Sequence, residues 1–451
     1  MTGKEPRNPR INYFTNLPDN VIVTNIVQYE NCDELCISYK PPANRKCPEC
    51  GSIDCSIKDS SIKQTIRHTP VNRRGIILTF RKRRLECKQC GISFTENPEW
   101  MYDSQKMTNA LFYQICFDLT RLLSITAIAY DNRVSHSIVS TVLENIEYGL
   151  PVMLPETLCI DEFTGTSGEW DPKTTKWNVN KYHCNISNGD NGIIIDILPQ
   201  ICGEFLKPYF RQYSTDQRSR VKYVCCDMHS GFISVAREVF PGAHICIDMF
   251  HVVQRINDAV DAIRIRFQRC VQNSDDPQDR QKYFLLKHAA RSLLTSEIKQ
   301  ERLRNPNNAK RLEKLNTLFS LYPDLATAYA LLQEFHSICA MNDGPWLNLR
   351  KSSLTEWIAR CLNSDIQELV DLGKRVRYWR GYLQNTWKYG RTNGVCEGLN
   401  NKIKVLKRVS YGLHSFDTFR KRVLLTCGSI RLADEPFTVF REKRYGKKIR
   451  L

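Results

Sequence analysis

The stretch VKYVCCDMHSGFISVAREVFPGAHICIDMF, residues 221–250, changes its hydrophobic period twice. VKYVCC and HICI are short apolar runs suited to buried strands. Between them, HSGFISVAREVF carries apolar residues at helical spacing. Working upstream, LCIDEF (158–163) reads as another buried strand, ending in carboxylates. KWNVNKYHCNIS and NGIIIDILPQ flank the turn signal NGDNG and predict a hairpin. A helix is expected from about Glu204 to Tyr213. The order hairpin, helix, strand, helix, strand implies an α/β sheet with mixed pairing.

Downstream, from His251 to about Trp387, the pattern is almost wholly helical, with polar breaks near SDDPQD and NPNNAK. This is too long for a connection and reads as an inserted helical domain, rich in Arg and Lys. Its last part, RVRYWRGYLQNTWKYGR (375–391), interleaves Tyr378, Trp379, Tyr382 and Trp387 with bases. Such aromatics can stack on unpaired bases; an amphipathic helix burying its tryptophans is the favoured reading. The chain closes with RTNGVCEGLNNKIK (391–404) and a basic tail, REKRYGKKIRL.

Towards the N-terminus, residues 1–40 carry no clear pattern. KCPECG and ECKQCG then place Cys47 with Cys50 and Cys87 with Cys90 in two C-x-x-C pairs, each followed by glycine. Knuckles of this kind aim two thiolates at one metal, and four thiolates close a tetrahedral structural zinc site. Cys55 and His68 are weaker substitute ligands. Between the pairs, RRGIILTFRKRR (73–84) has an apolar, strand-like centre and basic ends, suited to phosphate contacts or simply to solvent.

Residues 106–149 predict three helices. Thr108 caps the first, whose stripe runs through Leu111, Ile115, Leu119 and Leu122. SITAIAYDN gives the second, with Ile125, Ile128 and Ala129 inward. After a turn at Arg133 and Val134, Ser135 caps the third, with Ile138, Val139 and Val142 inward. Two short helices joined by a tight turn match a helix-turn-helix, whose exposed third-helix residues would be His136, Ser137, Ser140 and Thr141. GLPVMLPET (149–157) reads as a linker. The expected domains are an N-terminal segment (1–40), a zinc module (41–100), a helix-turn-helix (101–149), a split α/β core (157–254 and 388–451) and the helical insertion (255–387).

The 451 residues carry a formal charge of +17, which suggests an anionic partner, nucleic acid first. Nineteen cysteines, scattered through apolar segments, fit buried free thiols in a reducing compartment. No apolar run approaches a membrane span and MTGKEPRNPR lacks a signal-peptide core, so a soluble, cytoplasmic protein is expected.

Three acids stand out by position. Asp161 and Asp227 each end a strand, and Glu397 begins an amphipathic helix with Val395, Leu399, Ile403 and Leu406 on its apolar side. Reactive groups collect at the carboxyl ends of strands in open sheets. Acids that hold two Mg²⁺ ions would serve phosphoryl transfer, while surrounding bases hold nucleic acid. Glu397 would then be a metal ligand, with Asn400, Asn401, Lys402 and Lys404 on DNA; a local cap or pair for Glu397 is the competing reading. Glu162 should point away from Asp161. Asp248 competes as a further strand-end acid, ranked as outer or structural, and His251 as a packed or contacting neighbour.

CPEC with ECKQCGISFTE, the helix-turn-helix at 124–147, CIDEF, CCDMHSGF, IDMFHVVQRIN and TNGVCEGLNNKIKVLKRVSYG together resemble the DDE transposases of bacterial insertion sequences, closely the ISL-three family. The resemblance spans nearly all of the chain beyond residue 40. It implies an RNase H-like core interrupted by a helical insertion before the glutamate, with Asp161, Asp227 and Glu397 as the triad. It further implies a transposase that binds terminal inverted repeats, cuts and transfers DNA strands with Mg²⁺, meets both transposon ends and target DNA, assembles as a homo-oligomer on DNA and works at the nucleoid. A catalytically inactive, transposase-derived regulator and an RNase H-like nuclease acting on branched nucleic acid are the alternatives.

Overall fold

The structure, a computed structural model, describes residues 17–18, 20–40, 46–96, 98–102, 106–147, 153–164, 169–171, 176–178, 182–341, 347–410, 413, 415–428 and 449–450. Most of the N-terminal segment before residue 17, residues 149–152 of the linker and nearly all of the basic tail lie outside these. The chain divides into two compact units, one holding residues 1–151, 166–181 and 401–451, the other residues 152–165 and 182–400.

In the first unit, a seven-stranded sheet is built on β1 (Val21–Gln28), β2 (Cys32–Tyr39), β3 (Cys55–Val71) and β4 (Arg74–Cys87). Three short strands, β5 (Ser93–Thr95), β6 (Met101–Tyr102) and β7 (Met107–Thr108), complete it. The patternless residues after 20 are therefore sheet: β1 and β2 pair with each other and β2 runs parallel to β4. Leu35, Ile37, Tyr39, Ile66, Ile76, Leu78, Phe80 and Trp100 fill the core beneath.

Three helices follow: α1 (Asn109–Leu119), α2 (Ile125–Asp131) and α3 (His136–Asn145). Thr108 and Ser124 cap the first two by accepting from the N–H of Leu111 and Ala127 at 3.3 and 3.0 Å. Ser135 occupies the third N-cap position without capping; its hydroxyl meets that of Ser137 at 2.9 Å. Leu111, Ile115 and Leu119 are buried, but Leu122, expected to continue their stripe, is exposed because α1 ends at Leu119. Inside the trio, Asn132 donates to Asp118 at 2.8 Å, a buried polar pair.

Residues 388–451 do not return as one piece of the core. The helix α8 (Gly394–Val409) begins in the second unit and ends in the first. After it α9 (Phe416–Cys427) packs on α1 and α3. Its Arg422 is fully buried and donates to the carbonyls of Arg121 and Leu123 at 3.0 and 2.6 Å. Burial pulls that guanidinium down to about 10. It ties the C-terminal helix to the turn between α1 and α2, which apolar periodicity could not foretell.

The second unit contains a five-stranded mixed sheet of β8 (Thr157–Thr164), β9 (Tyr182–Asn188), β10 (Ile193–Leu198), β11 (Tyr223–Cys226) and β12 (His244–Ile247). Its order is β10-β9-β8-β11-β12, antiparallel across the first three strands and parallel across the last three. The parallel strands β11 and β12 are buried on both faces over their last three residues, although β12 lies at the sheet edge, which is why YVCC and HICI read as unbroken apolar runs. Helices α4 (Gly203–Arg211) and α5 (Ser230–Val239) flank the sheet in sequence. Then α6 (Met249–Val271), five further helices over residues 277–362, and α7 (Gln367–Tyr389) make the insertion. One apolar core runs through it, holding Trp357 and Trp387, with Trp379 and Tyr382 packed against it. Trp387 is buried beneath the Arg350 guanidinium, 4.3 Å from its ring centroid, so it is a packing residue; only Tyr378 of the four aromatics is exposed. Among the described residues no helix is long and apolar enough to cross a membrane.

Candidate active site and metal centre

The thiol site is built by two matching turns. Gly51 and Gly91 adopt φ of 73° and 74°. Their N–H groups reach back to the carbonyls of Cys47 and Cys87 at 3.0 and 2.9 Å. A Cβ is disfavoured in that region, so glycine follows each pair. The sulfur atoms of Cys47, Cys50, Cys87 and Cys90 all lie within 4.8 Å of one another. Cys47–Cys90 and Cys50–Cys87 are each 3.6 Å apart. Tetrahedral zinc with bonds of about 2.3 Å needs edges of about 3.8 Å, so the donors fit. Turn N–H groups, that of Cys90 foremost, bring the Cys87 thiol down to about 6, towards the thiolate that binds metal. The weaker candidates fall away. His68 is buried against Thr108 at 2.8 Å, and the Cys55 thiol turns to the Ser52 carbonyl at 3.7 Å.

The carboxylate site is assembled from distant segments. Asp161 lies on β8, Asp227 directly follows β11, and Asp248 follows β12 as the N-cap of α6, accepting from the Phe250 N–H at 3.0 Å. Asp227 accepts from the His229 N–H at 2.8 Å, which fixes the turn after its strand. Glu397 lies exposed in the first turn of α8. Asp161 is 7% exposed. Burial pushes its carboxyl up to about 7; the Glu162 N–H opposes this, and the charges of Asp227, Asp248 and Glu162 add to it. Burial likewise raises Asp248, with the Phe250 N–H and His251 opposing and the charges of Glu397 and Asp227 adding. Asp161 thus feels Asp227 and Asp248, and Asp248 feels Asp227 and Glu397. His251 stands 4.0 Å from the Asp248 carboxylate.

A polar relay missed by the sequence reading fixes Asp161. Asn400 donates to its Oδ2 at 2.9 Å and to the Glu162 carbonyl at 3.1 Å. Asn185 donates to the Asn400 oxygen at 2.9 Å, and the Ser187 hydroxyl to Asn185 at 2.6 Å. Asn185 is the cross-strand partner of Asp161 and therefore shares its face, whereas Glu162 opposes Cys184 on the other. Asn400, expected on DNA, is buried, 6% exposed. Cys396, Leu399, Ile403 and Leu406 are buried around it on α8, so helical spacing turns Asn400 inward. Asn401, Lys402 and Lys404 are exposed on α8; on α3, His136 and Ser137 are exposed while Ser140 and Thr141 are half-buried. Carboxylate oxygens are hard donors of the kind a divalent cation such as Mg²⁺ takes, but among the described residues only the four thiols lie within 4.8 Å of one another.

Comparison with known proteins bears on both sites. The DDE transposase family model of the ISL-three type, described as transposase, matches residues 158–423, more than half of the chain. A second, described as zinc-finger of transposase IS204/IS1001/IS1096/IS1165, matches residues 43–90. The transposase for insertion sequence element IS1001 of Bordetella parapertussis is 26% identical over 395 residues, 85% of this chain and 89% of that protein. The transposase for element IS1557 of Mycobacterium tuberculosis is 22% identical over 262 residues, 56% of this chain and 58% of that one. A Lactococcus lactis protein named an ATP-dependent protease is 29% identical over 144 residues, covering 32% of this chain and 44% of that one.

Proposed function

We propose, from the premise that this chain belongs to the ISL-three family of DDE transposases, that it binds the terminal inverted repeats of its own insertion sequence and catalyses metal-dependent DNA cleavage and strand transfer. The observation that carries this reading is the buried Asp161. It is held by Asn400 from the helix that bears Glu397 and is charged against Asp227 and Asp248. The strand order, three antiparallel strands followed by two parallel ones, supports an RNase H-like core.

Bound divalent cations, two in this reading, supply charge at the attacking and leaving oxygens of phosphoryl transfer. Asp161, Asp227 and Glu397 hold them. Asn400, itself oriented by Asn185 and Ser187, keeps the Asp161 carboxylate in one rotamer. Asp248 adds negative charge while capping α6. On α8, Asn401, Lys402 and Lys404 offer donors to phosphates. In the N-terminal unit, zinc on four thiolates fixes the hairpin ends, and α3 presents His136 and Ser137, with Ser140 and Thr141 behind them, to a major groove. The protein works as a homo-oligomer on transposon ends and target DNA, in the cytoplasm at the nucleoid.

The test is cleavage and strand joining on a duplex carrying the element's end. Glu397→Gln should leave folding and end binding intact and lower both reactions by roughly 10³-fold or more in Mg²⁺, since several kcal/mol of transition-state stabilisation is at stake. End binding by the unaltered chain without metal-dependent cleavage would favour a regulator that has lost catalysis.

A further inference from the structure

The hairpin joining β3 to β4 turns through Asn72 and Arg73, with Val71 and Arg74 paired at its mouth. The two turn residues have φ of 49° and 63°, the positive values of a type I′ turn, whose second position favours glycine. The turn between α2 and α3 contains another such residue, Arg133, with φ of 54°. Side chains with a Cβ are strained in this region. In each turn an arginine stands where glycine would be relaxed.

The two turns meet. A Cβ built on Gly75, beside the hairpin turn, would lie 3.4 Å from the Cβ of Arg133 and 3.9 Å from its Cγ. The turn between α2 and α3 thus lies within contact distance of the hairpin. Arg74, between Arg73 and Gly75, is neutralised and used as a staple. It donates to Asp33 at 2.8 Å and to the carbonyls of Glu30 and Cys32 at 3.1 and 3.3 Å. Arg73 and Arg133 differ: both are exposed and neither has a carboxylate partner among the described residues. The Arg133 guanidinium lies 4.6 Å from the ring centroid of Tyr130, which is itself exposed. That stacking steadies the cation without neutralising it.

We propose that the hairpin tip and the helix-turn-helix turn form one phosphate-binding surface, on which Arg73 and Arg133 grip the DNA backbone beside the groove that α3 enters. This rests on α3 being the DNA-reading helix. Duplex DNA is the occupant because the surface adjoins the exposed start of α3, at His136 and Ser137, and phosphates line both edges of a groove. The two cations set position and affinity but read no sequence.

The experiment uses the full zinc-loaded chain and a mixed-sequence duplex, with affinity measured across a salt series. Arg73→Gly and Arg133→Gly should each keep or raise the thermal midpoint, since glycine accepts positive φ. Each should lower the slope of log K against log salt by about 0.9, and the double variant by about 1.8. Arg73→Asn and Arg133→Asn, which also tolerate the turn, should give the same slopes. Arg304→Gly is the control: Arg304 has φ of 48° but lies in the helical insertion, so its slope should match the unaltered chain. Unchanged slopes in the Arg73 and Arg133 variants, as a surface for an acidic protein would give, overturn the proposal. So does an equal loss in Arg304→Gly. An unaltered chain with no salt-dependent DNA binding would remove the DNA-reading role of α3 as well; normal binding with unchanged slopes would remove this surface alone.

Discussion

The cysteine knuckles and the carboxylates of the second unit are assembled by opposite routes. Each knuckle is a five-residue turn, and β3 and β4 bring the two together, with Cys55 paired opposite Cys87. Among the described residues the four thiols are the one group of potential metal ligands gathered within 4.8 Å. The acids come from β8, from the ends of β11 and β12, and from α8, and they stand looser. Four soft donors with no open position make a site that holds structure together. The acids run from the buried Asp161 to the exposed Glu397, so they span from the interior to the surface. Local turns supply rigidity at the first site; at the second, a buried amide relay from Ser187 through Asn185 and Asn400 takes over that task.

The largest expected effect concerns the thiols. Removing zinc with a chelator, or changing Cys50→Ser, should unfold the N-terminal module, because apparent zinc-binding energies of about 10–16 kcal/mol act as folding energy in such sites. Circular dichroism and limited proteolysis should show loss there with the helical insertion intact. A module that stays folded without metal would erase the contrast between the two sites.

A smaller effect, of opposite sign, is expected at the acids. In the metal-free protein the Asp161 carboxyl is held near 7, against an ordinary value of 3.8. Between these values the folded state binds more protons than the unfolded one, so stability falls as pH rises through this window. Asp161→Asn should therefore raise the unfolding free energy of metal-free protein at about pH 8, by on the order of 4 kcal/mol at most, and leave it nearly unchanged at about pH 4. Saturating Mg²⁺ should stabilise the unaltered chain and close the gap. Destabilisation by Asp161→Asn at the higher pH would mean that the charge is already compensated without metal.

The smallest effect separates two neighbours that look alike in sequence. Asn400→Ala leaves a carboxylate oxygen and the Asn185 amide buried without partners and should cost about 1–3 kcal/mol in chemical denaturation. Asn401→Ala, exposed on the same helix, should stay within about 0.5 kcal/mol and weaken DNA binding instead. Equal stability losses would show that the relay is not what fixes Asp161.

Much of this was legible because the controlling interactions are short in sequence. The C-x-x-C-G repeats, the cap at Thr108, and the strand runs LCIDEF, VKYVCC and HICI all act within a few residues. The inward turn of Asn400 was legible too: it lies four residues after Cys396 and three before Ile403, on the buried stripe of α8. Its setting among asparagines and lysines drew the reading towards DNA. Leu122 misled in the other direction, since periodicity does not say where a helix stops.

The sequence by itself determined the α/β alternation, the paired knuckles, the three short helices and the three acids worth watching, because backbone periodicity and turn chemistry are properties of neighbouring residues. Only the tertiary structure decided that Asn185 and Ser187 serve Asp161, that α9 docks through Arg422 on the turn between α1 and α2, and that Arg133 lies beside Gly75 of the hairpin. Each of those depends on which strands pair and on which polar groups must find partners once buried, and such partners lie dozens to hundreds of residues away along the chain.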